Sequence, residues 1–133
     1  MMDRDTWLVG ILAAIRDLGD ADYQERVWVR AAGPEVDSSA EAICRLYDDF
    51  HLTGFLEHDR QRHWLPADEH TALQAFDAAI GDYIATDADE MSDAVRVATP
   101  EWLALRKLAR RTLELVGIER VCWYSSVSYH DCW

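Results

Sequence analysis

Gln24-Glu25-Arg26-Val27-Trp28-Val29-Arg30 is the stretch on which the fold class turns. Its alternation and its β-branched residues form the pattern of a half-buried strand. Read so, Val27 and Val29 face one side, and Arg26, Trp28 and Arg30 the other. A second alternating run covers residues 118–129, with Val121, Trp123, Ser125, Val127 and Tyr129 on one face. Between the two, Phe55-Leu56 and His63-Trp64-Leu65 fit short strands of a hairpin or meander within residues 51–65.

Helical periodicity fills most of the remainder. Residues 3–19 repeat Trp7, Leu8, Ile11, Leu12, Ile15 and Leu18 at helical spacing, with Asp3 or Asp5 as a cap and Gly19 as a left-handed stop. Residues 38–50 open on a capping box, Ser38 with Glu41, and carry Ile43, Leu46, Tyr47 and Phe50 as one stripe. Pro66 opens a helix over 67–85, with Leu73, Phe76, Ile80, Tyr83 and Ile84 on one face. Thr99-Pro100-Glu101 combines a cap, a proline at the first helical position and an acid in the first turn. That helix runs to Val116 and stops at Gly117, with Trp102, Leu105, Ala109, Leu113 and Val116 as its core stripe. A loop covers 31–36, and the acidic stretch 87–93 reads as a loop or a ragged helical turn. The sum predicts an α+β fold, four main helices packed on a small, mostly antiparallel sheet. Residues 1–117 form one acidic domain, and residues 118–133 its C-terminal strand or tail.

The composition supports a packed domain: 133 residues, half of them apolar, six of them Trp. A chain of this size buries roughly two thirds of its unfolded surface. Its net charge is −12. A field of that sign repels nucleic-acid backbones and anionic membranes and attracts basic proteins, so neither a nucleic acid nor a membrane is expected as partner. The charge is uneven: residues 1–98 hold 21 of the 25 acids against 8 basic residues. The longest apolar run, Trp7 to Ile15, is about half of the ~20 residues that span a bilayer. Cys44, Cys122 and Cys132 are odd in number and form no C-x-x-C pair, and the acidic N-terminus does not resemble a signal peptide. Reduced thiols in a cytoplasm follow as the expectation. The absence of Asn and the single Lys107 suggest a GC-rich bacterial genome.

Motifs for chemistry are sparse. Six scattered glycines form neither G-x-G-x-x-G nor a P-loop, which removes the common routes to nucleotide phosphates. His51, His58, His63 and His70 fall close together among Asp48, Asp49, Glu57 and Asp59, the ligand types for zinc or non-haem iron. Yet H-E-x-x-H and H-x-H are both absent, so incidental histidines are the plainer reading. Ser125, Ser126, Ser128, His130, Asp131 and Cys132 crowd the tail, but adjacent residues rarely converge into a triad and no G-x-S-x-G occurs. No catalytic residue and no cofactor is assigned.

Several segments resemble a known family. Asp22-Tyr23-Gln24-Glu25-Arg26-Val27-Trp28-Val29, Leu46-Tyr47-Asp48-Asp49, and Thr99-Pro100-Glu101-Trp102 leading to Leu113-Glu114-Leu115-Val116-Gly117 are similar in order and spacing to small acidic actinobacterial proteins of unknown function. That family also looks like the α+β immunity proteins found beside bacterial polymorphic toxins. The resemblance covers residues 5–117, carries no catalytic residues with it, and leaves the tail unaccounted for.

Three functional readings follow. The first is a non-catalytic acidic protein that binds a basic protein, such as an immunity-type inhibitor of a basic toxin. Its contact face would be Asp48, Asp49, Glu57 and Asp59, with Trp28 or Trp64 as aromatic anchor. Asp48 and Asp49 stand out because they occupy a helix end whose dipole disfavours anions. The second is a metal-binding protein or enzyme using His51, His58 and His63 with nearby carboxylates. The third is a housekeeping domain that forms a homodimer through an exposed strand edge.

Overall fold

A computed structural model of the chain describes residues 3–86 and 91–117. Those residues are predominantly helical, and no strand or sheet occurs among them. The α+β expectation is therefore corrected to an all-helical arrangement over the described residues. Helix α1 spans Arg4–Gly19, and Asp3 caps it by accepting from the Thr6 N–H at 2.9 Å. Helix α2, Ala21–Tyr23, runs without a break into a π-helical turn, Gln24–Val29. Helix α3, Ser39–Cys44, likewise continues as a π-helical turn, Arg45–Asp49. Then come α4 (Leu52–Arg62), α5 (Ala67–Thr86), α6 (Asp93–Arg96) and α7 (Pro100–Val116).

The segment read as the first strand is the second of these helices. Gln24, Val27 and Trp28 are its buried residues, a spacing of three and four that belongs to a helix. Valine and tryptophan, assigned to opposite faces, share one. Gln24 is a polar residue at a core position, and it hid the period. Its amide donates to the carbonyls of Asp17 and Leu18, both at 2.9 Å, so it serves the open C-terminal end of α1. Its oxygen accepts from the Trp102 indole at 2.9 Å. Donors and acceptor are thus all used, which is the condition for burying an amide at all.

The second correction falls on residues 51–65. Leu52, Phe55, Leu56 and Asp59 are the buried face of α4, again at helical spacing and again with a polar residue at one core position. His63 and Trp64 lie in the turn to α5 instead of in a strand. Gly19 is the last residue of α1 and does not take a left-handed conformation, because Asp20 starts the next helix at once. Gly117 does take one, with φ 106, and donates its N–H to the Leu113 carbonyl. Alternation over 118–129 lies outside the described residues.

Helix α1 packs on α7, α3 and α4, while α5 packs on α7 and α4. Ile11, Leu12, Ile15, Leu46, Phe55, Leu73, Phe76, Trp102 and Leu113 are among the side chains fully shielded from water between them. Each such side chain contributes about 1.5–3 kcal/mol relative to an exposed one, so this core is the main support of the fold. The expected stripes of α1 and α7 are buried as read; Ile84, assigned to the α5 face, stays largely exposed. At Gly10 the α1 backbone meets the Phe50 ring so closely that a Cβ would overlap it. The end of the second π turn is thereby seated directly on α1.

Candidate functional site

The acids divide into those the fold consumes and those it leaves outside. Asp37 exposes 2% of its side chain and accepts from the Tyr23 hydroxyl at 2.8 Å, the Trp28 indole at 3.2 Å and Arg45 at 3.0 Å. Burial alone would raise its pKa; the bonds from Arg45, Tyr23 and Trp28 outweigh that and hold it below the ordinary carboxylate value. Arg45 also reaches Asp17 at 3.3 Å. There burial wins, and it pushes Asp17 up to about 6 despite Arg16 and Arg45. Asp77 accepts from the Tyr47 hydroxyl at 2.7 Å, and burial together with that bond pushes the tyrosine above its usual range. Asp93 accepts from the Ser39 hydroxyl and N–H, tying α6 to the start of α3.

Asp59 belongs with the consumed group. It exposes 2% of its side chain, accepts from the Leu65 N–H at 2.8 Å, and takes the Nδ1–H of His70 at 2.6 Å. Both carboxylate oxygens are therefore engaged in closing the α4–α5 corner. Trp28 is 8% exposed, bonded to Asp37 and packed edge-on against Trp102 at 5.8 Å. Neither Asp59 nor Trp28 is available to a partner as first read.

Asp48 and Asp49 are different. Both are exposed at the end of the π turn, and neither makes a hydrogen bond or ion pair with another described residue. Glu57 is exposed on α4 and paired with Arg60 at 3.0 Å. Trp64 is half-buried. It stacks on His58 with ring centroids 5.9 Å apart and an interplanar angle of 7°, and the Arg62 guanidinium lies 5.7 Å from its centroid. Trp7 joins the two groups: it packs edge-on to Trp64 at 6.3 Å and donates its indole N–H to the carbonyl of Phe50, the residue after Asp49. Trp7 thus touches both Trp64 and the residue that follows Asp49, whereas Trp28 is engaged with Trp102 and Asp37.

The histidines are spread along α4. His51 precedes its first residue, His58 sits within it, and His63 follows its last. The eleven residues of α4 lie between His51 and His63 and set them about 18 Å apart along its axis, too far to share one ion. Among the described residues no three His, Cys, Asp or Glu side chains are grouped to hold a metal. His58 is occupied by the Arg62 guanidinium, which donates to Nδ1 at 2.8 Å. Cys44 is exposed, and the serines, histidine and cysteine of the tail lie outside the described residues.

Nothing in the sequence marks the pairing of Asp59 with His70 or the sharing of Arg45 by Asp17 and Asp37. Each joins residues from different elements, and only the fold brings them together. No protein family, curated protein or solved structure matches the chain. Among the described residues no helix is long and apolar enough to cross a membrane.

Proposed function

We propose that this chain is a non-catalytic acidic binding protein, and that Asp48, Asp49 and Glu57, with Trp64 as the aromatic anchor, meet a basic protein partner. The observation that carries this reading is the contrast between the acids. Asp37, Asp59, Asp77 and Asp93 each accept from at least one side-chain donor inside the fold, whereas Asp48 and Asp49 have no described partner. They also stand at the end of a helix, where the dipole costs an anion about 0.3–1 kcal/mol at an exposed site. Acids kept unpaired at such a place, with Trp7 reaching from the next residue, Phe50, to the half-buried Trp64, suit a surface completed by an incoming cation. An immunity-type inhibitor of a basic toxin is the specific form proposed, in keeping with the net charge of −12.

The alternatives have less behind them. A metal site on His51, His58 and His63 needs a convergence that α4 keeps apart. Dimerisation through a strand edge needs a strand, and the described residues contain none. The test is reconstitution. The partner is recovered from cells of the native host, purified, and titrated against the wild-type chain and Trp64→Ala. We expect a stoichiometric complex that weakens about tenfold or more on loss of the indole. The absence of any basic partner, or binding indifferent to Trp64, would defeat the reading.

A further inference from the structure

The α4–α5 corner holds a cleft that the partner reading does not use. It encloses about 220 Å³ and is lined by Asp59, Arg60, His63, Leu65, His70 and Thr71 among others. We propose that it binds a small oxyanion of the phosphate or carboxylate type, held between Arg60, His63 and the outer edge of the His70 ring.

The chemistry of the lining carries this. Asp59 is the acid of the cleft, and its two oxygens are already taken by the Leu65 N–H and the His70 Nδ1–H. Its charge is therefore directed inward. Because Nδ1 is tied to this carboxylate, the ring of His70 is fixed in orientation, and Nε2 has no described hydrogen-bond partner. A buried carboxylate behind an imidazole orients the opposite nitrogen toward a ligand, and in the imidazolium form that Nε2–H is a donor from which an oxyanion accepts. Arg60 spends Nη1 on Glu57 at 3.0 Å and keeps the rest of its planar fork, which suits oxyanions better than an ammonium does. His63 has no described side-chain partner either, and it follows α4 in a left-handed conformation with φ 52. The volume falls below the roughly 300 Å³ at which drug-sized sites begin, so the ligand is small.

The charges that compete are few: Glu57 on α4, already bonded to Arg60, and Asp68 and Glu69 in the first turn of α5, none of which lines the cleft. The plain alternative is that Asp59 and His70 serve only to clamp the corner. The two differ in what happens at Nε2.

The experiment is a titration of the full chain with inorganic phosphate and, separately, with acetate, following the ring resonances of His63 and His70 by NMR, with sodium chloride at matched ionic strength as control. A saturable shift of both rings with phosphate or acetate, absent with chloride, is expected; which anion saturates first separates the two ligand types. Arg60→Gln leaves the Asp59–His70 bond intact and should weaken binding about tenfold, at unchanged melting temperature. His70→Asn keeps an N–H for Asp59 and removes Nε2, and should abolish the shift of His63. Should that variant fail to fold, Arg60→Gln alone decides. Shifts that track ionic strength without saturating, or an Arg60→Gln titration identical to wild type, would overturn the site and leave the pair as a clamp.

Discussion

Asp17 and Asp37 share one guanidinium, that of Arg45, and their surroundings drive them in opposite directions. Asp37 gains three kinds of donor and is held low, while Asp17 is buried with less compensation and rises to about 6. The sign for Asp17 follows from linkage. Its proton is held more tightly in the folded chain than in the unfolded one, where the ordinary value is 3.8. Its contribution to stability is therefore complete below that value, falls as pH rises through the window to about 6, and is absent above it. Asp17→Asn keeps an oxygen for Arg45 and cannot ionise. Urea melts should find it more stable than wild type by about 2 kcal/mol near neutral pH, with the gap closing on acidification toward pH ~4. Asp37 acts oppositely, with stability lost only as pH falls further. Gly10 supplies a second test at this scale. Alanine there gains about 1 kcal/mol of helix propensity but must displace the Phe50 ring, so Gly10→Ala should cost about 1–3 kcal/mol net in a thermal melt.

At the level of elements, the caps and the fully apolar stripes were legible. Asp3, Ser38 and Thr99 each accept from the N–H three residues on, and Gly117 ends α7 as read. What misled was a polar residue at a core position, once in each misread segment: Gln24 beside Val27 and Trp28, and Asp59 after Leu52, Phe55 and Leu56. Periodicity counts apolar residues, and a buried polar group breaks the count unless its partners are known. Those partners, Trp102 seventy-eight residues away and His70 on the next helix, lie beyond any local window. Secondary chemical shifts should be helical across 24–29 and 52–62; extended values in either segment would restore the sheet. Gln24→Leu fills the space but strands the Trp102 indole and two α1 carbonyls. A loss of about 2–4 kcal/mol in chemical denaturation is expected.

Over the whole molecule, the charge of −12 is not one uniform field. Part of it is structural: carboxylates that tie α3 to α6, α4 to α5 and the loop at Asp37 to the first π turn. Others, Asp48 and Asp49 among them, are exposed and have no partner among the described residues. Composition alone gave the total and the sign but not this division, because burial and pairing are properties of the fold. Of the six residues first read as a contact face, Asp48, Asp49, Glu57 and Trp64 stay at the surface or half-buried, while Asp59 and Trp28 are taken inside. Asp48→Lys with Asp49→Lys changes the net charge as much as Asp22→Lys with Glu25→Lys, two other exposed acids. The decisive measurement is the affinity of the reconstituted partner for these two double variants, at low and high salt. The account predicts that the Asp48/Asp49 variant loses about tenfold or more with a shallower salt dependence, while the Asp22/Glu25 variant binds nearly as wild type. Equal losses in both, or none in either, would show that no particular face was built for a cation.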